Sequence, residues 1–205
     1  MEQLMTIEIP DAIEGLALPE PGLLTYYRNL EQRKIWLDSE LDVTWLEYSR
    51  MIMEWNREDK GKKIEDREPI KLYFFSPGGD LDVNNSFIDI IKLSKTPVIG
   101  INIGIAFSGG AFTYLACHKR YVLSRASFLL HKGGADGISG TAQQVVEFAK
   151  QYEKQINALK EYLIERGLDK KLVNNKMQGE WYVDANEAVK LGIAHSIITD
   201  IDDIV

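Results

Sequence analysis

An α/β domain built on a parallel sheet is the fold class this sequence predicts, and three observations carry the prediction. Three apolar runs, Leu72–Phe75, Pro97–Ile105 and Arg120–Leu130, each stop at a glycine-rich turn. The turns are Ser76-Pro77-Gly78-Gly79, Ala106-Phe107-Ser108-Gly109-Gly110 and His131-Lys132-Gly133-Gly134. Helix-like stretches separate the first two pairs of runs, and this alternation reads as buried parallel strands. Hydrophobic residues make up 45% of the 205, enough for the core of one larger domain. In open α/β sheets, catalytic groups gather beyond the carboxyl ends of the strands. Gly79, Ser108 and His131 fall at three such ends.

Taken in order, residues 1 to 22 read as irregular, with a short edge strand at Met5–Pro10 and Pro19, Pro21 and Gly22 as punctuation. The boundaries drawn are an N-terminal arm over residues 1–26 and one α/β domain over 27–205. Ile35-Trp36-Leu37 is a short strand. Asp42 or Thr44 caps the next helix, whose apolar stripe is Trp45, Tyr48, Met51 or Ile52, and Trp55. The charged stretch Asn56–Pro69 reads as a long exposed loop. After the strand beginning near Ile70 comes a polar helix at about Asn84–Leu93, and after the second run a helix from Phe112 to Ala116. The longest helix spans about 141–166, with Val145, Phe148, Tyr152, Ile156, Leu159 and Leu163 on one face and Gly167 as its stop. It protrudes from the core or lies over the sheet. A helix at Asp169–Met177, a capped helix from Asp184 to Gly192 and a strand at Ile193–Thr199 close the chain.

The net charge of −7 argues against a nucleic-acid or anionic-membrane surface, since both need clustered lysine and arginine. The one basic run, Lys60-Gly61-Lys62-Lys63, is flanked by acids. A single cysteine, Cys117, forbids an intrachain disulfide, suits a cytoplasmic location and reads as a small buried hydrophobe. No Cys/His spacing suggests a metal, no secretory leader is expected, and no apolar run reaches the roughly 18 residues of a membrane span.

Ala106-Phe107-Ser108-Gly109-Gly110 has the form of a strand-turn-helix nucleophile elbow, with Ala at its first position. A sharp turn lifts the hydroxyl clear of the sheet, and glycine lets a carbonyl approach the backbone, so the Gly109 N–H faces a developing oxyanion. The Ser76–Gly79 turn offers a second such N–H. Of three histidines, His131 alone ends a strand of this set; its imidazole accepts the Ser108 proton and returns it to a leaving amine. His118 and His195 read as structural.

The combination resembles the proteolytic subunit of the ATP-dependent Clp protease, ClpP, from about Tyr27 to Thr199. The specific pieces are Phe75-Ser76-Pro77-Gly78-Gly79-Asp80, Gly104 to Phe112, Lys119-Arg120, Leu130-His131 and Glu187-Ala188-Val189-Lys190-Leu191-Gly192-Ile193. The resemblance implies a ClpP/crotonase-like fold of repeated β/α units with the long helix protruding. It implies Ser108 as nucleophile, His131 as base and the N–H groups of Gly79 and Gly109 as oxyanion hole. The third member falls seven positions before Glu187, where the family has Asp and this chain has Glu180. One methylene longer, Glu180 must sit further back or leave the triad misaligned; Asp184 is the fallback acid.

Other departures are Lys132-Gly133 after the histidine in place of Gln-Pro, which loosens the backbone there, and Trp181 in place of an Arg that joins rings. With an unusual N-terminal segment, these mark a divergent member, phage-encoded or an accessory paralogue. The resemblance further implies an extended polypeptide substrate, a homo-oligomeric ring of seven or two stacked rings, and an AAA+ unfoldase partner. No cofactor is expected in this chain; ATP is consumed by the unfoldase. Two other readings are a crotonase-type acyl-CoA enzyme, and a catalytically weak regulatory subunit of a ClpP-like ring.

Overall fold

The computed structural model describes residues 21–134 and 138–205. The chain divides into two compact units, 1–32 and 33–205. In the first, α1 (Pro21–Glu31) starts at a proline, whose missing N–H costs nothing at the first helical position. It buries none of its side chains and exposes Leu23, Leu24, Tyr26 and Tyr27. The irregular reading of residues 21 and 22 is thereby corrected; the edge strand expected at Met5–Pro10 lies outside the described residues.

The second unit is a seven-stranded sheet with helices packed on it. Strands β1 (Lys34–Leu37), β2 (Ile70–Ser76), β3 (Val98–Phe107) and β4 (Lys119–Val122) lie side by side and parallel. The two-residue β7 (Ser196–Ile197) extends the edge beside β4. The third apolar run is therefore not one strand. It breaks at Leu123-Ser124-Arg125-Ala126, and β5 (Ser127–Leu130) resumes the pairing further along β3, at Ile105–Phe107. Fully buried Asn102 fills the gap: its Nδ2 donates to the Ser127 carbonyl at 2.9 Å, and its Oδ1 accepts from the Gly104 N–H at 3.1 Å. A side-chain amide thus substitutes for ladder bonds that the break removes.

On its other side, β3 bulges. Phe74 pairs with Asn102, but Ser76 pairs with Ala106, so three residues of β3 oppose Phe75 alone. Gly104 sits in this bulge, where a Cβ would lie 2.6 Å from the Phe75 ring. The bulge re-aims the end of β3 and so orients the residue that follows, Ser108.

A strand the sequence reading missed, β6 (Trp181–Asp184), pairs antiparallel with β5. The sheet is mixed rather than wholly parallel.

Helix α2 (Trp45–Glu58) buries Trp45, Ser49 and Ile52, while Tyr48, Met51 and Trp55 are half-buried. Its buried edge is offset by part of a turn from the expected stripe. Asp42 organises its entry, accepting from the Thr44 N–H and hydroxyl. Residues 56–69 are not simply an exposed loop. Asp59 is fully buried and holds Arg33 at 2.6 Å, Lys62 at 2.7 Å and the Thr96 hydroxyl at 2.9 Å. The charges that suggested solvent are partnered inward.

Helix α3 (Leu81–Leu93) starts earlier than expected because Asp80 caps it, accepting from the N–H groups of Asp82 and Val83. Helix α4 (Gly109–Ala116) is wholly buried and carries the chain back under the sheet. It shares the main core with Trp45, Phe74, Phe87 and Phe128, all nearly inaccessible, and its Tyr114 ring meets Phe74 and Phe128. Separate from it, Tyr73 and Ile101 form a smaller cluster with Ile204.

Helix α5 (Ala142–Glu165) opens on a capping box at Thr141 and Gln144. Its packing face runs from Tyr152 through Ile156, Leu159, Tyr162 and Leu163; Val145 and Phe148 are exposed rather than continuing the buried face. Helices α6 (Lys170–Lys176) and α7 (Ala185–Lys190) complete the unit, capped by Asp169 and Asp184. Among the described residues no helix is long and apolar enough to cross a membrane.

Candidate active site

Ser108 stands between the end of β3 and the start of α4 with φ +51° and ψ −123°. A non-glycine residue in that region stores strain of about 1–3 kcal/mol, held only where its surroundings fix it. Those surroundings are visible. The Ser108 N–H donates to the Leu129 carbonyl at 2.8 Å, tying the elbow to β5. Its own carbonyl accepts from Ala111 and Phe112, starting α4.

The Ser76–Gly79 turn packs directly on the elbow. A Cβ on Gly78 would lie 2.6 Å from the Phe107 carbonyl oxygen and 2.9 Å from the Gly109 nitrogen. One on Gly79 would lie 2.2 Å from the Leu41 carbonyl oxygen. Gly78 and Asp80 make the backbone bonds to Leu41, so the Gly79 N–H stays outside that bridge. The N–H of Gly109 opens α4 and has no acceptor within its helix.

His131 follows β5, and Glu180 precedes β6. The pair Leu130–Trp181 belongs to the antiparallel ladder, so the next rung sets His131 across from Glu180. His131 Nε2 is 2.8 Å from Ser108 Oγ, and His131 Nδ1 is 2.9 Å from Glu180 Oε1. A carboxylate on Nδ1 fixes the proton there and leaves Nε2 free to accept from the serine hydroxyl. The side chain of Glu180 is 55% exposed and that of His131 22%, so solvent weakens the ion-pair part of this contact. Asp184 caps α7 by accepting from the Glu187 N–H at 2.9 Å. The Lys132-Gly133 backbone, which the loss of proline was expected to loosen, is tied to α5: the Tyr152 hydroxyl donates to the Lys132 carbonyl at 3.0 Å.

Ser108, His131, Gly79 and Gly109 border a cleft of about 360 Å³ whose other walls include Leu81, Phe112, Leu129 and Ile156. A larger groove of about 680 Å³ between α3 and α5 contains none of them. The sequence reading missed two contributors, Leu41, which positions Gly79, and Asn84, which sits in the cleft wall beside Ser108. The signal for Asn84 was its place one turn after the Asp80 cap.

His118 and His195 lie elsewhere, each accepting a backbone N–H through Nδ1, from Val98 and Arg120. Among the described residues no three His, Cys, Asp or Glu side chains gather around a point a cation could occupy.

Residues 24–200 match the family model for Clp protease. The chain belongs to the Clp protease family. Among Clp protease relatives, the ATP-dependent Clp protease proteolytic subunit 2 of Treponema pallidum is 32% identical over 136 residues, covering 64% of this chain and 67% of that one. The proteolytic subunit of Dehalococcoides mccartyi (strain 195) is 27% identical over 197 residues, 93% and 94% of the two chains. A structure of a ClpP1 mutant from Listeria monocytogenes superposes with a TM-score of 0.73 at 20% identity, covering 88% of this chain and 99% of that one, and shows the shared ClpP fold.

Proposed function

We propose that this Clp protease family member is a serine endopeptidase in which Ser108, His131 and Glu180 form the triad. The observation that carries the reading is the continuous run of contacts from Glu180 Oε1 through His131 to Ser108 Oγ, at 2.9 and 2.8 Å. Ser108 Oγ attacks the peptide carbonyl carbon as its proton passes to His131 Nε2. The carbonyl oxygen takes the negative charge and accepts from the N–H groups of Gly79 and Gly109. His131 then protonates the departing amine, the C–N bond breaks, and an acyl-serine remains. Water repeats the sequence with His131 as base, releasing the acid and restoring Ser108. Glu180 keeps the imidazole in the useful tautomer and stabilises its cation.

The substrate is an extended polypeptide bound along the cleft through its backbone, a mode that tolerates many side chains. The reading extends to a ring of seven copies or two stacked rings, fed by a separate AAA+ unfoldase in the cytoplasm. It is supported by the relatives' names, proteolytic subunits of an ATP-dependent protease, and by the exposed Val145, Val146 and Phe148 on α5. An acyl-CoA reading uses paired backbone N–H groups but leaves the Ser108–His131 contact without a task.

Labelling with a fluorophosphonate and assay of a fluorogenic peptide test the reading. Wild type is tagged at Ser108 and cleaves; Ser108→Ala does neither while keeping its assembly state. Cleavage undiminished in Ser108→Ala overturns it.

A further inference from the structure

His131 lies one residue past the last rung of the β5–β6 ladder, the Leu130–Trp181 pair. Its imidazole has to keep Nε2 on Ser108 Oγ and Nδ1 on Glu180 Oε1. Geometry of that kind works only when held within about 0.5 Å. The rung fixes the main chain before the imidazole. After it come Lys132 and then Gly133, where φ is +76°. A proline ring holds φ at about −65°, so the stiffening that the expected Gln-Pro would bring has no place in this turn.

Tyr152 meets the main chain at that point. Its hydroxyl donates to the Lys132 carbonyl at 3.0 Å, and a Cβ on Gly133 would lie 3.3 Å from the same hydroxyl oxygen. The ring comes from α5, one turn before buried Ile156, and packs against the main core. It also stacks on Phe148, with ring centroids 6.4 Å apart and planes 10° apart. Partial burial pushes the phenol above its ordinary value, so the hydroxyl stays a donor throughout the range in which a histidine titrates. The Lys132 ammonium donates to Gln178 Oε1 at 2.9 Å, two residues before Glu180. Lys132 is thus tied through its main chain to α5 and through its side chain to the segment that carries the acid.

Resting on the peptidase reading above, we propose that Tyr152 is a positioning residue for the catalytic step. Acting through the Lys132 carbonyl, it holds the main chain behind His131 and so keeps the imidazole within reach of Ser108. Its ring also borders the cleft, together with Lys132 and Gly133, so a direct hold on the substrate is the competing account. The two accounts move different quantities. A hydroxyl that binds peptide sets KM and leaves the attack of Ser108 on a small reagent alone. One that aims the imidazole sets kcat and the rate of that attack together.

The experiment is Tyr152→Phe, which removes the hydroxyl and keeps the ring. With a fluorogenic peptide, kcat is expected to fall about five- to tenfold, the worth of one net hydrogen bond, with KM within about twofold of wild type. Fluorophosphonate tagging of Ser108 slows by a similar factor. A raised KM with unchanged tagging overturns the proposal. So does a lowered melting temperature with kcat and tagging both at wild-type values. If Tyr152→Phe does not fold, a polyfluorinated tyrosine at position 152, whose phenol ionises at lower pH, loses the same donor as pH rises. A ratio of its kcat to that of wild type that stays constant with pH then overturns the proposal. Tagging of wild-type Ser108 separates the two failures. A tagged wild type with an equally tagged Tyr152→Phe sinks the role of Tyr152 alone, whereas an untagged wild type sinks the peptidase reading beneath it.

Discussion

Glu180 meets His131 at 2.9 Å because the two residues are the next rung of the β5–β6 ladder beyond Leu130 and Trp181. Direct opposition leaves the longer carboxylate enough reach without a detour of the backbone. Removing its charge while keeping its shape, in Glu180→Gln, is expected to lower kcat by about 100-fold, less than for a buried triad acid because this side chain is half exposed. Glu180→Asp retracts the carboxylate by one methylene and is expected to cost about tenfold. Asp184→Ala is expected to leave kcat near wild type and to lower stability by about 1 kcal/mol through loss of the α7 cap. Steady-state kinetics of the three variants with thermal melts check the set. Equal loss in Glu180→Gln and Asp184→Ala would sink the assignment.

Among the described glycines, Gly79 has the tightest surroundings. Its φ of +152° is outside the ordinary range of residues with side chains, and an added methyl meets the Leu41 carbonyl at 2.2 Å. Relieving that clash moves the turn and, with it, the N–H proposed for the oxyanion hole. Gly79→Ala is therefore expected to lose about 100- to 1,000-fold in kcat, as for removal of one oxyanion donor. The loss should appear in kcat rather than KM, and fluorophosphonate tagging should slow in parallel.

Much of this arrangement was legible in the sequence. The strand ends at Ser76, Phe107 and Leu130 were marked by the glycine turns that follow them, and those turns are where the cleft groups stand. Less was legible where order depends on distant partners. The run from Arg120 to Leu130 gave no hydrophobic signal of a break, because the turn at Leu123–Ala126 is half apolar and the buried Asn102 that bridges it is about twenty residues away. Strand β6 is only four residues long, and its alternation of buried Trp181 and Val183 with exposed Tyr182 and Asp184 becomes meaningful only once β5 lies beside it. The sequence placed Glu180 by resemblance alone. What brings it to His131 is a register, which no local pattern encodes.

The same limit applies to charge. Asp59 lies in a stretch that reads as solvated, yet it is fully buried, and the Arg33 guanidinium above all holds its carboxyl well below the usual carboxylate range despite its burial. Asp59→Ala leaves Arg33 buried without its main partner and is expected to cost about 3–5 kcal/mol in a urea melt. The pH dependence has a definite sign. A carboxyl with a depressed folded pKa adds stability that is complete above its unfolded value near 3.9 and drains away as pH falls through the folded one. The wild-type protein should therefore lose stability steeply below about pH 4, and Asp59→Ala should lose less over that interval. Parallel slopes for the two would contradict the assignment.

Cys117 gives an independent readout of the same stability. It lies at the end of α4 with no accessible surface, its sulfur close enough to Gly100 that a Cβ there would approach within 2.9 Å. Burial pushes its thiol up to about 12, outweighing the cations of Arg120 and Arg166 nearby. Because the thiolate is the reactive form, the folded protein at pH 7.5 is expected to resist a disulfide reagent. Reaction then requires α4 to leave the core, which exposes the thiol and returns it to its ordinary acidity in one step. The labelling rate accordingly tracks the open population when opening is fast compared with labelling. Asp59→Ala should speed it in proportion to the stability it removes, by about a hundredfold or more for 3 kcal/mol. Prompt labelling of the wild-type thiol in the folded protein would show that this part of the core opens without unfolding.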